Sequence, residues 1–420
     1  MIRSTVARVD LAALKSNFAA IQRYVSSEEG RTPPAIIGVV KANAYGHGAP
    51  RVALALQEAG ATMLACADIE EGIVLRQAGV RVPILVFGAL SVSDLDGLFD
   101  FSLTPTISTP GAARAVQAAA MRRSTTIAYH LKIDTGMNRL GFRHDNLRRT
   151  LPELLASSTL RLDAVYTHFA SADVPESAVF DTQRERFDVA WSVVDELCRE
   201  SRIANSKSRI PNPESRIPNP ESRIPNPEPR IPNPESRIPN PEPRVFRHAC
   251  NSAGLLRDSR VWFDAVRPGL LLYGIVPPPL ASTIDLTPVM SLTSRVVAVK
   301  GLRPGEGVGY GWRYEASEPR TVAVVPAGYA DGLDTRLCGR GHVLIRGRRV
   351  PIVGAVSMDM LTVDVTDLSE VRPGDEVVLL GRQGNESWQR IDAREMAAAI
   401  GTIPWEIVCR LGTRIERQYD

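Results

Sequence analysis

The chain has 420 residues, with 50 Lys and Arg against 47 Asp and Glu for a formal charge of +3. That length allows two domains and a sizeable core, and the near balance of charge excludes a polybasic footprint for nucleic acid or an anionic membrane. Five scattered cysteines (Cys66, Cys198, Cys250, Cys338, Cys409) without a Cys-x-x-Cys pair read as reduced, cytosolic and metal-free, and neither a signal-peptide core nor a bilayer-spanning apolar run is present.

Asp10 reads as the N-cap of a first helix that carries Leu11, Leu14, Phe18 and Ile21 on one face. The apolar run from Ala35 to Val40 reads as a buried strand with Lys41 at its last position, followed by a Gly/Asn loop and a helix over Ala49–Gly60. Further apolar, β-branched runs at Met63–Asp68, Pro83–Gly88, Leu103–Ser108, Thr126–Asp134, Leu162–Ala170, Val245–Ser252 and Ala265–Gly274 alternate with helical stretches such as Asp68–Ala78, Thr109–Met121 and Ala178–Arg199. Eight strands separated by helices predict an α/β fold, a (β/α)8 barrel, with a doubly wound open sheet as the alternative.

The barrel segment is interrupted at about 201–244 by tandem Ser-Arg-Ile-Pro-Asn-Pro-Glu repeats. Two prolines per heptad remove helix donors, and isoleucine is the sole apolar residue, so the seven-residue period does not make a coiled coil. The repeats read as a disordered or polyproline-like surface insert, with binding by a Pro-recognising partner as a second reading. After about Asp285 short strands take over, at Val289–Val299, Thr321–Pro326, His342–Ile345, Val350–Val356, Leu361–Val365 and Glu376–Leu380, punctuated by Pro-Gly and Gly-Asp turns and closed by a helix over Asp392–Ile400. The expected organisation is a barrel over 1–284 and a mostly-β domain over 285–420.

The chemistry-bearing residues cluster where barrel strands end, and such ends converge on one face of a barrel. Lys41 is the sharpest of them. A desolvated lysine at a strand end loses its proton near neutrality and becomes an amine nucleophile of the kind Schiff bases need. In the loop behind it Gly46 and Gly48 are expected to let backbone approach a ligand, Tyr45 and His47 add polar tips, and Asn43 adds an amide. Asp134 to Gly141 follows the fifth strand, Tyr166 to Phe169 closes the sixth, His248 to Gly254 closes the seventh, and Arg267-Pro268-Gly269 belongs to the eighth.

Together the Lys41 loop, the Arg139 loop, Asn251-Ser252, Arg267, Gly305–Gly311 and Ser357-Met358-Asp359 resemble, in order and over all but the insert, the alanine racemase family of pyridoxal-phosphate enzymes. The resemblance implies interconversion of L- and D-alanine by a homodimer, for peptidoglycan synthesis. Lys41 and Tyr310 would be the catalytic bases on opposite faces of Cα, with Tyr310 entering from the β-domain of the second subunit. It places the cofactor among Lys41, Tyr45, His168, Ser252, Arg267, Gly269, Leu270 and Trp405, and the substrate at Arg139, Met358 and Asp359. Arg267 would donate to the pyridine nitrogen, and Lys132 matches a lysine often found carbamylated. Many members have a tyrosine where this chain has Trp405, whose indole N–H donates but cannot accept, which is all a phosphate dianion asks. A broader-specificity amino-acid racemase, a decarboxylase of the same barrel class and a non-catalytic pyridoxal-phosphate carrier are the alternatives. Arg267 speaks against decarboxylation, which profits from a protonated ring nitrogen. The long β-domain with its second base speaks against the carrier.

Overall fold

The computed structural model describes residues 4–28, 30–90, 95–208, 244–384 and 389–420. Of the insert expected at about 201–244, residues 209–243 lie outside them, while 201–208 are not disordered but continue the preceding helix, Ala178–Ser208. Ten short strands occupy the first two thirds of the chain: β1 (Val6–Val9), β2 (Ala35–Val39), β3 (Met63–Cys66), β4 (Ile84–Val86), β5 (Thr104–Ile107), β6 (Ile127–Asp134), β7 (Phe142–Arg143), β8 (Leu160–Tyr166), β9 (Phe246–His248) and β10 (Ala265–Val266). Eight of them form a closed parallel ring in the order β2-β3-β4-β5-β6-β8-β9-β10, with β10 returning to β2. The sheet is a barrel, so the open-sheet alternative is set aside. Helices cross between successive strands, and their starts obey capping chemistry. Asp10, Asp68 and Thr109 each accept a backbone N–H from the first turn of the helix that follows.

The remaining strands are β11 (Met290–Arg295), β12 (Ala298–Leu302), β13 (Arg320–Val325), β14 (His342–Ile345), β15 (Arg348–Val353), β16 (Leu361–Asp364), β17 (Glu376–Gln383), β18 (Gln389–Ile391) and β19 (Glu416–Tyr419). They build a second sheet in the order β12-β13-β16-β15-β14-β17-β11-β1-β19, with β18 on β17. β1, which periodicity does not reveal, therefore leaves the barrel segment and pairs with β11 and β19. The run predicted as one strand over Val289–Val299 is broken into β11 and β12, because Val296 N–H turns to Asp375 O and Val297 N–H to Val324 O. A second helix, Pro404–Cys409, follows the expected one at Ala393–Ile400.

Two further departures matter for the site. Strand β2 stops at Val39, so Lys41 stands past its end and opens a turn. The expected strand Ala265–Gly274 is a strand only over two residues, after which Gly269 bends into a 3-10 turn, Leu270–Tyr273.

The two layers are tied together by Asn17 on the first helix. Its side chain, 1% exposed, donates to Leu272 O at 3.0 Å and Thr287 O at 2.7 Å, and accepts Thr287 N–H at 2.8 Å. It thereby fastens the 3-10 turn to the linker that leads into β11. Removing it leaves the buried Leu272 carbonyl and the part-buried Thr287 carbonyl and amide without these partners. Asn17→Ala is expected to lower the unfolding free energy by about 2–4 kcal/mol in urea titration. Val189→Ala, on the exposed face of its helix, should stay within about 0.5 kcal/mol; equal effects would show that Asn17 is not a tie.

Candidate active site

A cavity of about 290 Å³ opens at the C-terminal end of the barrel strands, lined among others by Lys41, Tyr45, Lys132, Arg139, His168 and Arg267. Ser252, Gly269, Leu270 and Trp405 line it as well. The barrel thus brings together every residue expected at the cofactor, along with Arg139 and Lys132. Tyr166, whose ring lies 4.5 Å from Lys132 Nζ and 5.2 Å from the Arg267 guanidinium, is a wall residue that the sequence places at a strand end without assigning it a role.

Lys41 is presented by an unusual turn. Ala42, Asn43, Ala44 and Tyr45 all have positive φ, between 52° and 55°, which makes a short left-handed helix built from non-glycine residues. Glu71 clamps its start: Ala42 N–H donates to one carboxylate oxygen at 2.7 Å and Ala67 N–H to the other at 2.8 Å. Asn43 accepts Ala49 N–H at 2.8 Å and so starts the next helix. The two glycines of this loop face the chain itself. A Cβ at Gly46 would collide with the Val408 carbonyl, and one at Gly48 with the Tyr419 hydroxyl. Of the loop's polar side chains, Tyr45 lines the cavity and His47 does not.

Arg267, 3% exposed, is spent on fixed acceptors. Its Nη1 donates to His248 Nδ1 at 2.7 Å, and its Nη2 to Thr167 O at 2.9 Å, Ala249 O at 2.8 Å and His168 Nδ1 at 3.3 Å. Nε carries none of these bonds, and neither does the second hydrogen of Nη1, so Nε is free to donate to a ligand. Since an arginine only donates, both imidazoles must accept from it at Nδ1, which fixes their tautomers. His248 then donates from Nε2 to His130 Nδ1 at 3.0 Å.

At the other end of the cavity the Ser252 hydroxyl oxygen accepts Gly269 N–H at 3.0 Å and Leu271 N–H at 3.4 Å, which leaves its own proton to donate. Leu270 opens the 3-10 turn, so its N–H has no carbonyl in that turn. Gly269 packs under the Tyr45 hydroxyl so closely that a Cβ there would come within 2.5 Å of it. These are donors without a matching acceptor, arranged for an anion.

The electrostatics agree. Burial, then the nearby Arg139, hold Lys41 below the ordinary lysine range. Burial and then Arg267 push Lys132 well down, and burial lowers Arg267 to about 10, still protonated at neutral pH. Burial keeps His168 neutral. The cavity therefore combines an amine biased to the nucleophilic form, an anion cradle and a donor-only guanidinium.

Tyr310, Met358 and Asp359 are not part of this cavity. They line a separate hollow of about 500 Å³ on the β-domain, with Arg313 and Tyr329. Tyr310 is 79% exposed, at the tip of a loop closed by Gly305 N–H to Ala316 O and Val308 N–H to Tyr314 O. Asp359 accepts from Arg414 at 2.6 Å.

The alanine racemase N-terminal domain family matches residues 9–215 and the C-terminal domain family residues 289–419. Alanine racemase of Halothermothrix orenii is 36% identical over 99% of this chain and 97% of its own length. That of Sorangium cellulosum is 37% identical over 100% and 99%. Among solved structures, alanine racemase of Clostridium difficile 630 superposes with a TM-score of 0.82 at 28% identity, covering 100% of this chain and 96% of its own. One from Bacillus anthracis with bound L-Ala-P superposes at 0.79 with 32% identity, covering 100% and 96%.

The depressed proton affinity of Lys41 is measurable in cofactor-free protein. Its acylation or arylation, followed by peptide mass spectrometry against pH, should show a midpoint below the ordinary lysine value of about 10.4. Arg139→Gln removes a neighbouring positive charge and so favours the protonated amine. The midpoint should move up in that variant, and an unchanged or lower midpoint would refute the electrostatic account.

Proposed function

The chain belongs to the alanine racemase family, and on that premise we propose that Lys41 and Tyr310 are its two proton carriers, on opposite faces of the substrate's Cα. The enzyme interconverts L- and D-alanine with pyridoxal phosphate. The observation that carries the assignment is the lysine cavity, whose residues fit that cofactor: an amine for its aldehyde, a free Arg267 Nε for its ring nitrogen, and Ser252, Leu270 N–H and Tyr45 for its phosphate. When bound, pyridoxal phosphate draws electron density from the amino acid's Cα and makes that C–H acidic.

The side chains divide the remaining work. Lys41 holds the cofactor covalently and, once free, takes or gives the Cα proton on one face; Tyr310 does the same on the other. One turnover adds the Cα proton to one base and removes a proton from the other, so their protonation states exchange and must re-equilibrate with solvent before the same direction runs again. Arg267 cannot accept a hydrogen bond, so the ring nitrogen opposite it stays an acceptor. That weakens electron withdrawal and favours prompt reprotonation of Cα over side reactions. Arg139, with no ion-pair partner among the described residues, takes the substrate carboxylate, aided by the Met358–Asp359 loop. Lys132 is a buried amine with no carboxylate at ion-pair distance among the described residues, Asp134 acting on it only from farther off; reaction with carbon dioxide would turn it into an anion that braces Arg139. Carbon-13 bicarbonate should give a carbamate NMR resonance that disappears in Lys132→Ala, and its absence from the wild-type protein would rule that out.

Lys41 and Tyr310 line separate hollows of one chain, so we place the second base across a homodimer, with the exposed Tyr310, Trp312 and Met358 of one protomer facing the lysine cavity of the other. Among the described residues no helix is long and apolar enough to cross a membrane, and with the scattered free cysteines this supports a cytoplasmic enzyme supplying D-alanine for peptidoglycan.

Borohydride reduction and peptide mapping should place the pyridoxyl group on Lys41. Tyr310→Phe should keep the cofactor and lose about 10²–10⁴-fold in racemisation. It should still exchange the Cα proton of one enantiomer with solvent far faster than that of the other. Mixed dimers of inactive Lys41→Ala and Tyr310→Phe chains carry one intact site, so random re-pairing should recover about a quarter of wild-type activity. No recovery from demonstrably mixed dimers would return Tyr310 to its own chain or remove it from the chemistry.

A further inference from the structure

A second cavity, of about 660 Å³, lies between the barrel and the β-domain. It is larger than the lysine cavity and holds none of the residues assigned above. The two share a wall. The Tyr45 ring, which lines the lysine cavity, packs 5.1 Å from Tyr273, and Tyr273 packs 4.5 Å from His47; Tyr273 and His47 face the second cavity.

His47 marks this cavity as a site and not only a gap. It is 1% exposed, and its Nδ1 lies 3.0 Å from Ala44 O and 2.9 Å from Tyr45 O. Both partners are carbonyl oxygens, so Nδ1 must carry the proton and Nε2 must present a lone pair. Burial lowers the ring to about 4, which keeps it neutral at working pH. No side chain or backbone group among the described residues donates to Nε2, and since His47 lines the cavity that lone pair is left for a donor within it.

The rest of the cavity has the complementary character. Ile275, Ile284, Leu286, Leu380 and Ile391 supply apolar walls. At the rim, Asp10 is engaged as a helix cap and Arg390 with Asp392 at 2.6 Å. Arg8, Arg382 and Arg394 have no ion-pair partner among the described residues, and they outnumber Asp420, the one other charged side chain there. A deep acceptor, an apolar middle and uncommitted guanidiniums at the mouth define a ligand with three matching parts.

We propose that this cavity is a second ligand site, separate from the racemisation centre, for amphipathic carboxylates: a hydroxyl or amino donor for His47 Nε2, an apolar ring or chain, and a carboxylate for the rim arginines. A ligand seated there touches His47, whose other nitrogen holds two carbonyls of the turn that presents Lys41. The site is therefore placed to sense or stiffen that turn.

The test uses the cofactor-loaded full chain and 4-hydroxyphenylpropionate as probe. Calorimetry should show one saturable site per chain with Kd on the order of 0.1–1 mM. Phenylpropionate, which lacks the donor, should bind about fivefold or more weakly. Ile284→Trp fills the cavity and Arg382→Glu reverses charge at its mouth; each should weaken the probe by about tenfold or more with kcat and KM for alanine unchanged. Absence of saturable binding would overturn the proposal. So would binding that survives both variants and is displaced by alanine, since that is occupancy of the lysine cavity. The outcome is independent of whether Lys41 and Tyr310 act as assigned, because the readout is heat of binding and its response to residues outside that centre.

Discussion

The left-handed turn after Lys41 is the constraint on which the rest of the site depends. Each non-glycine residue in that conformation costs about 1–2 kcal/mol, and four stand in succession. The compensation is visible around them: Glu71 at the start, Asn43 at the helix beyond, His47 Nδ1 beneath, and Arg417 donating to Gly46 O at 3.1 Å. Hydrogen bonds of about 0.5–1.5 kcal/mol each match a strain of that order only as a set. The return is placement, because strain of this kind persists where the surroundings over-determine it and commonly at functional sites. The turn sends Lys41 and Tyr45 into one cavity, and Tyr45 meets the only kind of residue at 269 that leaves room for its hydroxyl.

The second feature is an excess of positive charge with little to neutralise it. Lys41, Lys132, Arg139 and Arg267 surround one cavity, and each of the first two is held below its ordinary proton affinity first by burial and then by a neighbouring arginine. Such an arrangement is unfavourable when empty and becomes favourable when an anionic phosphate and a carboxylate arrive. Arg267 differs from the others. Four fixed acceptors bind its two terminal nitrogens, so its plane cannot turn, and Nε is aimed by the fold and not by the ligand.

The sequence made the fold legible where patterning is strong. Eight apolar runs spaced by helices give the closed ring, and polar groups at their ends give the lysine cavity. What it hid is local or contextual. β1 is four residues long with no distinguishing period, and only its pairing with β11 and β19 reveals which sheet it serves. The left-handed turn is invisible because Ala-Asn-Ala carries no glycine, and Glu71 reads as one of two acids opening a helix. Gly46 and Gly48 invite a ligand-approach reading, yet the space their missing side chains leave is filled by Val408 and Tyr419. No local pattern announces contacts across some 360 residues of chain. The separation of Tyr310 from Lys41 within one chain is likewise beyond periodicity, which orders elements but does not say which faces meet.

The β-domain consequently acts on the lysine twice. Within the chain, β19 lies parallel to β1 and carries Arg417 to Gly46 O and Tyr419 against Gly48, while Arg51 caps the Tyr419 ring at 5.2 Å. The helix Pro404–Cys409 adds Trp405 to the cavity and packs the Val408 carbonyl against Gly46. The barrel therefore supplies the lysine, its turn and the clamps at Glu71, Asn43 and His47, while the β-domain closes the turn's far side. If Tyr310 acts from a second chain, the same domain also provides the opposite proton carrier. One β-domain would then hold its own chain's lysine in position while offering its tyrosine to another, so a displacement of that domain alters both bases at once. That shared dependence gives a physical reason for the two sheets to be joined through β1 at the very start of the barrel: the domain that positions the lysine is anchored to the strand that leads into it.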